Sequence, residues 1–176
     1  MRGLRQKERI LQDSESTIER GKENPTEAEM RESVIRLAFE GDESRFSEFC
    51  SIVQKAVPEA TAAVIRGSSL TGFRWKDGAP FDSDGPGTSD IDLTLVGAEV
   101  LRYYTMDGYW VPGIHSRPLS DDDPDIAPDL VPLRQRLMEM VRRPVNIQGT
   151  RDWWQYFRGD ILGQPYLTLF GTVAES

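Results

Sequence analysis

The segment Ser89-Asp-Ile-Asp-Leu-Thr-Leu-Val96 alternates polar and apolar residues with a period of two. Side chains of a β-strand point alternately to its two faces. A strand here therefore puts Ile91, Leu93 and Leu95 on one face and Asp90, Asp92 and Thr94 on the other. One face is made for a core, while the other presents two carboxylates side by side. Their bases are about 7 Å apart, close enough to converge on one cation. Like charges so near repel, and a fold tolerates them where a cation or water relieves the repulsion. A solvated acidic strand face is the plainer alternative, and Asp-x-Asp alone does not separate the two.

The remaining elements follow from similar patterns. Thr26 and Glu29 have the spacing of a capping box, with Met30, Val34, Leu37 and Ala38 at helical intervals after them. That helix should end near Gly41. Asp42 can cap a second helix, whose stripe is Phe46, Phe49, Cys50, Val53 and Val57 and which Pro58 ends. Thr61-Ala-Ala-Val-Ile-Arg66 reads as a buried strand stopping at Gly67, followed by a glycine- and proline-rich loop from about Thr71 to Thr88. Ala98 to Tyr104 suits a short helix, and Ser120 to Asp129 an acidic, solvated loop.

Leu133, Leu137, Met140 and Val141 mark a helix ended by Pro144, and Val145-Asn-Ile-Gln-Gly149 a short strand. Trp153, Trp154, Tyr156 and Phe157 suggest a helix entering the core, and Tyr166 to Phe170 a last strand. Together these elements predict an α+β fold, a small mixed β-sheet flanked by helices, over residues 26–176. Residues 1–25 are charged and poor in apolar anchors, and they read as a helical or partly disordered N-terminal arm.

The chain has 176 residues, 38% of them hydrophobic, enough for one sizeable core. No apolar run approaches the roughly 18 residues of a membrane span. Neither a membrane partner nor a signal segment is expected, and a cytoplasmic setting is. Cys50 is the sole cysteine, which excludes an internal disulfide. In its apolar helical pattern it reads as a core residue and not as a nucleophile. The net charge of −8 disfavours broad binding to nucleic acid, although Arg66, Arg74 and Lys76 are cations enough for one triphosphate.

Gly67-Ser68-Ser69 closes the first strand. Glycine lets a ligand approach the backbone, and successive amides with a serine hydroxyl can hold phosphate oxygens. By itself Gly-Ser is a turn signal, and no Gly-Lys-Ser/Thr follows to make a P-loop. With Asp90-Ile91-Asp92 opening the next strand, the pattern resembles the DNA polymerase β-like nucleotidyltransferase superfamily, across about residues 45–97.

The resemblance implies a nucleoside triphosphate donor, two Mg²⁺ (or Mn²⁺) ions held by Asp90 and Asp92, and release of pyrophosphate. Gly67, Ser68 and Ser69 would hold the nucleotide's phosphates. Arg74 and Lys76, in the intervening loop, could neutralise the triphosphate or could be ordinary solvated charges. Trp75 and Phe81 could stack on a base, although anchoring the loop to the core is the favoured reading. Acceptors across the superfamily include RNA and other nucleic-acid ends, small molecules and protein side chains, and nothing in the chain selects among them.

One position departs from the family's pattern. A third carboxylate is expected on a later strand, and the strand in that place carries Asn146. An amide offers a carbonyl to metal but cannot accept a proton. The acid could come from elsewhere (Asp121 to Asp129, Asp152 or Asp160), or His115 could serve as base, although a loop histidine is more often incidental. Otherwise the acceptor needs no protein base, or the domain binds nucleotide without turning it over. Beside the enzyme and a non-catalytic nucleotide-binding or protein-interaction module on the same fold, an accidental match in an unrelated α+β domain is the third possibility.

Overall fold

The computed structural model describes residues 25–152 and 164–172. The N-terminal arm, the tryptophan-rich segment around Trp153 and Trp154, and Asp160 lie outside the described residues. Helix α1 (Glu27–Ala38) begins at the expected capping box, in which the Glu29 amide donates to Thr26 and the Thr26 amide donates to Glu29. Such a cap stabilises a helix by about 1 kcal/mol. Helix α2 (Glu43–Ala56) starts at Asp42, whose carboxylate accepts from the Arg45 amide at 2.9 Å. Phe39, just past α1, meets Phe46 and Phe49 of α2 edge-on, with ring centroids 5.2 and 5.3 Å apart. Edge-on aromatic pairs of this kind add about 0.5–1.5 kcal/mol each.

Strand β1 (Ala62–Arg66) runs into a single helical turn, α3 (Ser68–Thr71). Strand β2 (Ile91–Val96) follows the long loop and leads to a 3₁₀ helix over Ala98–Tyr103, where a short helix is expected. After it come β3 (Tyr109–Val111), β4 (His115–Ser116), α4 (Val131–Val141), β5 (Val145–Thr150) and β6 (Tyr166–Phe170). The sheet order is β3-β4-β5-β2-β1-β6, with β2 and β5 parallel and all other neighbours antiparallel. The fold is therefore α+β, a six-stranded mixed sheet flanked by helices.

The period-two pattern of β2 settles which face is which. Ile91, Leu93 and Leu95 are buried in one cluster with Ala63, Ile65, Val145 and Ile147 of the neighbouring strands. Met30, Val34 and Ile35 of α1, Phe46 and Phe49 of α2, and Leu133 and Leu137 of α4 join the same cluster. The helices thus cover the apolar face of β2 and leave its acidic face on the other side. Ile35 and Ile52 take core positions in the helices, while Leu37 and Cys50 are only half-buried.

Two segments depart from the sequence expectation. The β3–β4 hairpin was not among the expected elements, although Pro112-Gly113 is a turn signal and Gly113 has a φ of 72°. The acidic stretch after Ser120 is only partly solvated, because Ile126 and Ala127 are buried in the core. There Asp121 pairs with Arg134 at 2.6 Å and Asp123 pairs with Arg117.

Candidate functional site

Strand pairing places three polar residues in a row. Arg66 on β1 stands opposite Asp92 on β2, which stands opposite Asn146 on β5. The next row on that face is Val64, Thr94 and Gln148. Residues paired across adjacent strands point to the same face, so the row presents a cation, a carboxylate and an amide side by side. Asp90, just before β2, completes the group. Asn146 Nδ2 donates to Asp90 Oδ2 at 2.6 Å and to Asp92 Oδ1 at 3.1 Å. The expected third-carboxylate position thus holds an amide that bridges the two aspartates.

These side chains form the floor of a cleft of about 360 Å³. Gly67 and Ser68, the loop residues Arg74, Trp75 and Lys76, and Gln148 and Gln164 are among the other residues that line it. Gly67 has a φ of 84°, and a Cβ built on it would lie 2.7 Å from Asp92 Oδ2. Glycine is required there twice over, by backbone conformation and by the closeness of the carboxylate. The Gly-Ser turn and the second aspartate of Asp-x-Asp therefore lie side by side.

Burial pushes the Asp92 carboxyl up to about 6, and the negative charge of Asp90 adds to the rise. The Asn146 hydrogen bond and the Arg66 charge act the other way. A cation between the carboxylates would relieve the same repulsion. The donor set is oxygen only and suits a hard divalent ion that keeps water and substrate oxygens as its other ligands. Among the described residues no group of three His, Cys, Asp or Glu side chains gathers to hold a metal, and the carboxylates lining the cleft are those of Asp90 and Asp92.

Other candidates sort by position. Ser69 is fully buried and absent from the cleft lining, and its carbonyl accepts from the Ser33 hydroxyl at 3.1 Å. Ser68 alone of the two serines reaches the cleft. Arg74 borders it but is braced within its own loop, at 2.8 Å from Asp84 and 3.4 Å from Asp77, with Ser83 accepting a further bond. Lys76 makes no ion pair among the described residues.

The favoured anchoring role divides between the loop aromatics. Phe81 packs against the core under the Arg143 guanidinium, 4.7 Å from its ring centroid. Trp75 is instead 61% exposed, so it is not an anchor. Among the described residues the alternative acids do not line the cleft. Asp121 and Asp123 are paired elsewhere, and neither Asp125, Asp129 nor Asp152 lines it. His115 lies on β4, not in a loop, with its Nε2 3.1 Å from Gln148 Nε2. Burial holds its pKa below the ordinary histidine value, and the charge of Arg66 adds to that.

The structure adds a residue that the pattern of β2 did not reveal. Arg143, nearly buried, donates to both Asp82 oxygens at 3.0 and 3.2 Å and to the Ser89 carbonyl at 2.9 Å. Asp82 also accepts from the Ser89 and Gly87 amides, while the Ser89 hydroxyl accepts from the Asp82 amide at 2.8 Å. Although burial opposes it, the bonds from Arg143, Ser89 and Gly87 hold the Asp82 carboxyl below its ordinary pKa. This clamp fixes the chain directly before Asp90. Its one legible signal is Pro144 straight after Arg143, which marks the helix end but says nothing of a partner 61 residues away.

Comparisons of the chain with protein-family models, with curated proteins and with solved structures find no match. Among the described residues no helix is long and apolar enough to cross a membrane.

Proposed function

We propose that the protein is a metal-dependent nucleotidyltransferase of the polymerase β-like type, moving a nucleoside monophosphate from a nucleoside triphosphate to a hydroxyl acceptor. The observation that carries this reading is the contact between motifs far apart in sequence. Gly67 packs on Asp92 while Asp90 and Asp92 face a cleft that Ser68 and Lys76 also line. Asp90 and Asp92 would hold Mg²⁺ or Mn²⁺, which when bound supplies charge neutralisation for phosphoryl transfer. Ser68 and the backbone at Gly67 receive the β- and γ-phosphates, and Lys76 neutralises them. The acceptor oxygen bonds to the α-phosphorus, the bond to the β-phosphate oxygen breaks, and pyrophosphate leaves. Asn146 cannot take the acceptor's proton, which passes to water. The acceptor is a small molecule, an RNA end or a protein side chain; the charge of −8 disfavours a long nucleic acid. A cytoplasmic setting belongs to this reading.

A second reading is favoured by one specific feature, the amide of Asn146 bridging both carboxylates. On that reading the cleft is a nucleotide-binding or protein-interaction module without turnover. Incubation with labelled nucleoside triphosphates and Mg²⁺, alone and with cell lysate, separates the two. The enzyme releases pyrophosphate or transfers label, and Asp90→Ala or Asp92→Ala abolishes it. Nucleotide binding without turnover for any acceptor selects the module. If no nucleotide raises the melting temperature in the presence of Mg²⁺, the enzyme and the nucleotide-binding module are both wrong and only a protein-interaction module remains.

A further inference from the structure

We infer that Trp75 is the platform on which the base of a bound nucleotide stacks, an inference that rests on the nucleotide-site reading above. Trp75 lines the cleft whose floor is Asp90 and Asp92, yet the residue is 61% exposed. A large aromatic left in water forgoes the hydrophobic gain of burial. The exposure does not come from a slack loop. Arg74 accepts the Gly78 amide at 2.8 Å and donates its own to Ala79 at 2.7 Å, and Phe73 bridges to Pro80. The Arg74 side chain bonds Asp84 and Ser83, and Asp77 accepts from the Ala79 amide. Both flanks of Trp75 are thus held by the loop's own bonds, and the indole is presented by an ordered turn.

The anchoring role is already taken by Phe81, packed against the core beneath Arg143. What remains for Trp75 is a flat apolar surface at the mouth of a polar cleft. Lys76, the next residue, also lines that cleft. A planar aromatic beside a cation, with carboxylates on the floor, matches a nucleotide laid base outward and phosphates inward. Arg74, engaged within the loop, then braces Trp75 and is not a phosphate ligand. An indole face recognises a π-surface and not an edge pattern, so the stacking is tolerant of base identity.

The test is calorimetric binding of ATP, GTP, CTP, UTP and inorganic tripolyphosphate, each with Mg²⁺, to the full chain and to Trp75→Ala and Trp75→Phe. Base stacking on an aromatic contributes enough that Trp75→Ala should weaken every nucleotide about tenfold or more. Tripolyphosphate, which has no base, should bind both proteins equally, and Trp75→Phe should retain most of the nucleotide affinity. Unchanged nucleotide affinity in Trp75→Ala overturns the inference, as does an equal loss for tripolyphosphate. If the unaltered protein binds neither nucleotide nor tripolyphosphate, the site reading itself falls and the stacking with it. The two failures are therefore distinguishable.

Discussion

Asn146 donates its side-chain amide to Asp90 over 2.6 Å, holding the first carboxylate of the Asp-x-Asp pair against the neighbouring strand β5. The same nitrogen reaches Asp92 at 3.1 Å. Strand register makes this arrangement, because Asn146 is the β5 residue paired with Asp92 on β2. In the absence of a cation the amide supplies hydrogen-bond donors to both carboxylates, partly relieving their repulsion.

Replacing Asn146 with aspartate removes those donors and adds a third negative charge. The metal-free Asn146→Asp variant should melt several degrees below the unaltered protein. Mg²⁺ or Mn²⁺ should then stabilise the variant more than the parent, since three carboxylates bind a cation more strongly than two. Thermal melts with and without metal make the comparison. Equal metal responses would show that position 146 does not face the cation.

The raised pKa of Asp92 predicts a pH dependence of stability. A carboxyl whose folded-state pKa is raised binds its proton more tightly folded than unfolded. Its contribution is full below the ordinary 3.8 and is lost as pH rises through about 6. Asp92→Asn, neutral throughout, should therefore gain stability relative to the metal-free parent as pH rises from roughly 4 to 7. Urea unfolding across that window, with chelator present, measures the difference. A constant difference at all pH values contradicts the shift.

Gly67→Ala meets two obstacles, a φ of 84° and a Cβ position 2.7 Å from Asp92 Oδ2. The backbone conformation alone should cost about 1–2 kcal/mol. Asp92 must also move from the Gly-Ser turn, so nucleotide binding should fall further than stability does. Denaturant midpoints and nucleotide titrations on one preparation check both parts.

The clamp before Asp90 should be sensitive to removal of one partner. Arg143 and Asp82 side chains are 6% and 22% exposed, and Arg143→Ala leaves the Asp82 carboxylate without its cation. A loss of about 3 kcal/mol is expected, in the range for breaking a buried ion pair. Asp82→Asn leaves the more deeply buried guanidinium without its anion and should also be destabilising. Chemical denaturation measures both variants, and an unchanged midpoint in both would be inconsistent with a charge clamp.

How much was legible can be judged at individual residues. The capping box at Thr26, the cap at Asp42 and the two faces of β2 are local patterns, and each stands in the structure as the sequence predicts. The Gly-Ser and Asp-x-Asp motifs are legible as local patterns, and the fold brings Gly67 beside Asp92. The family resemblance marks Asn146 as the expected third-carboxylate position beside the Asp-x-Asp pair. The parallel pairing of β2 with β5 is what puts it there.

Trp75 and Ser69 were read in the wrong environment for a common reason. Residue type says that an aromatic prefers burial and that a serine after glycine can hold phosphate. Which way each side chain faces depends on the loop fold and on the helical turn at Ser68–Thr71. The Arg143–Asp82 clamp joins residues 61 positions apart and has no periodic signature, so only the packed structure reveals it.

The sequence by itself determined the α+β class, the acidic strand face and the glycine turn, because each depends on the spacing of neighbouring residues. Tertiary structure decided the rest: the row Arg66, Asp92 and Asn146 across three strands, the outward Trp75, and the clamp on Ser89. Those features depend on which strands lie side by side and in what register, and that choice is made when distant segments bury their apolar faces together.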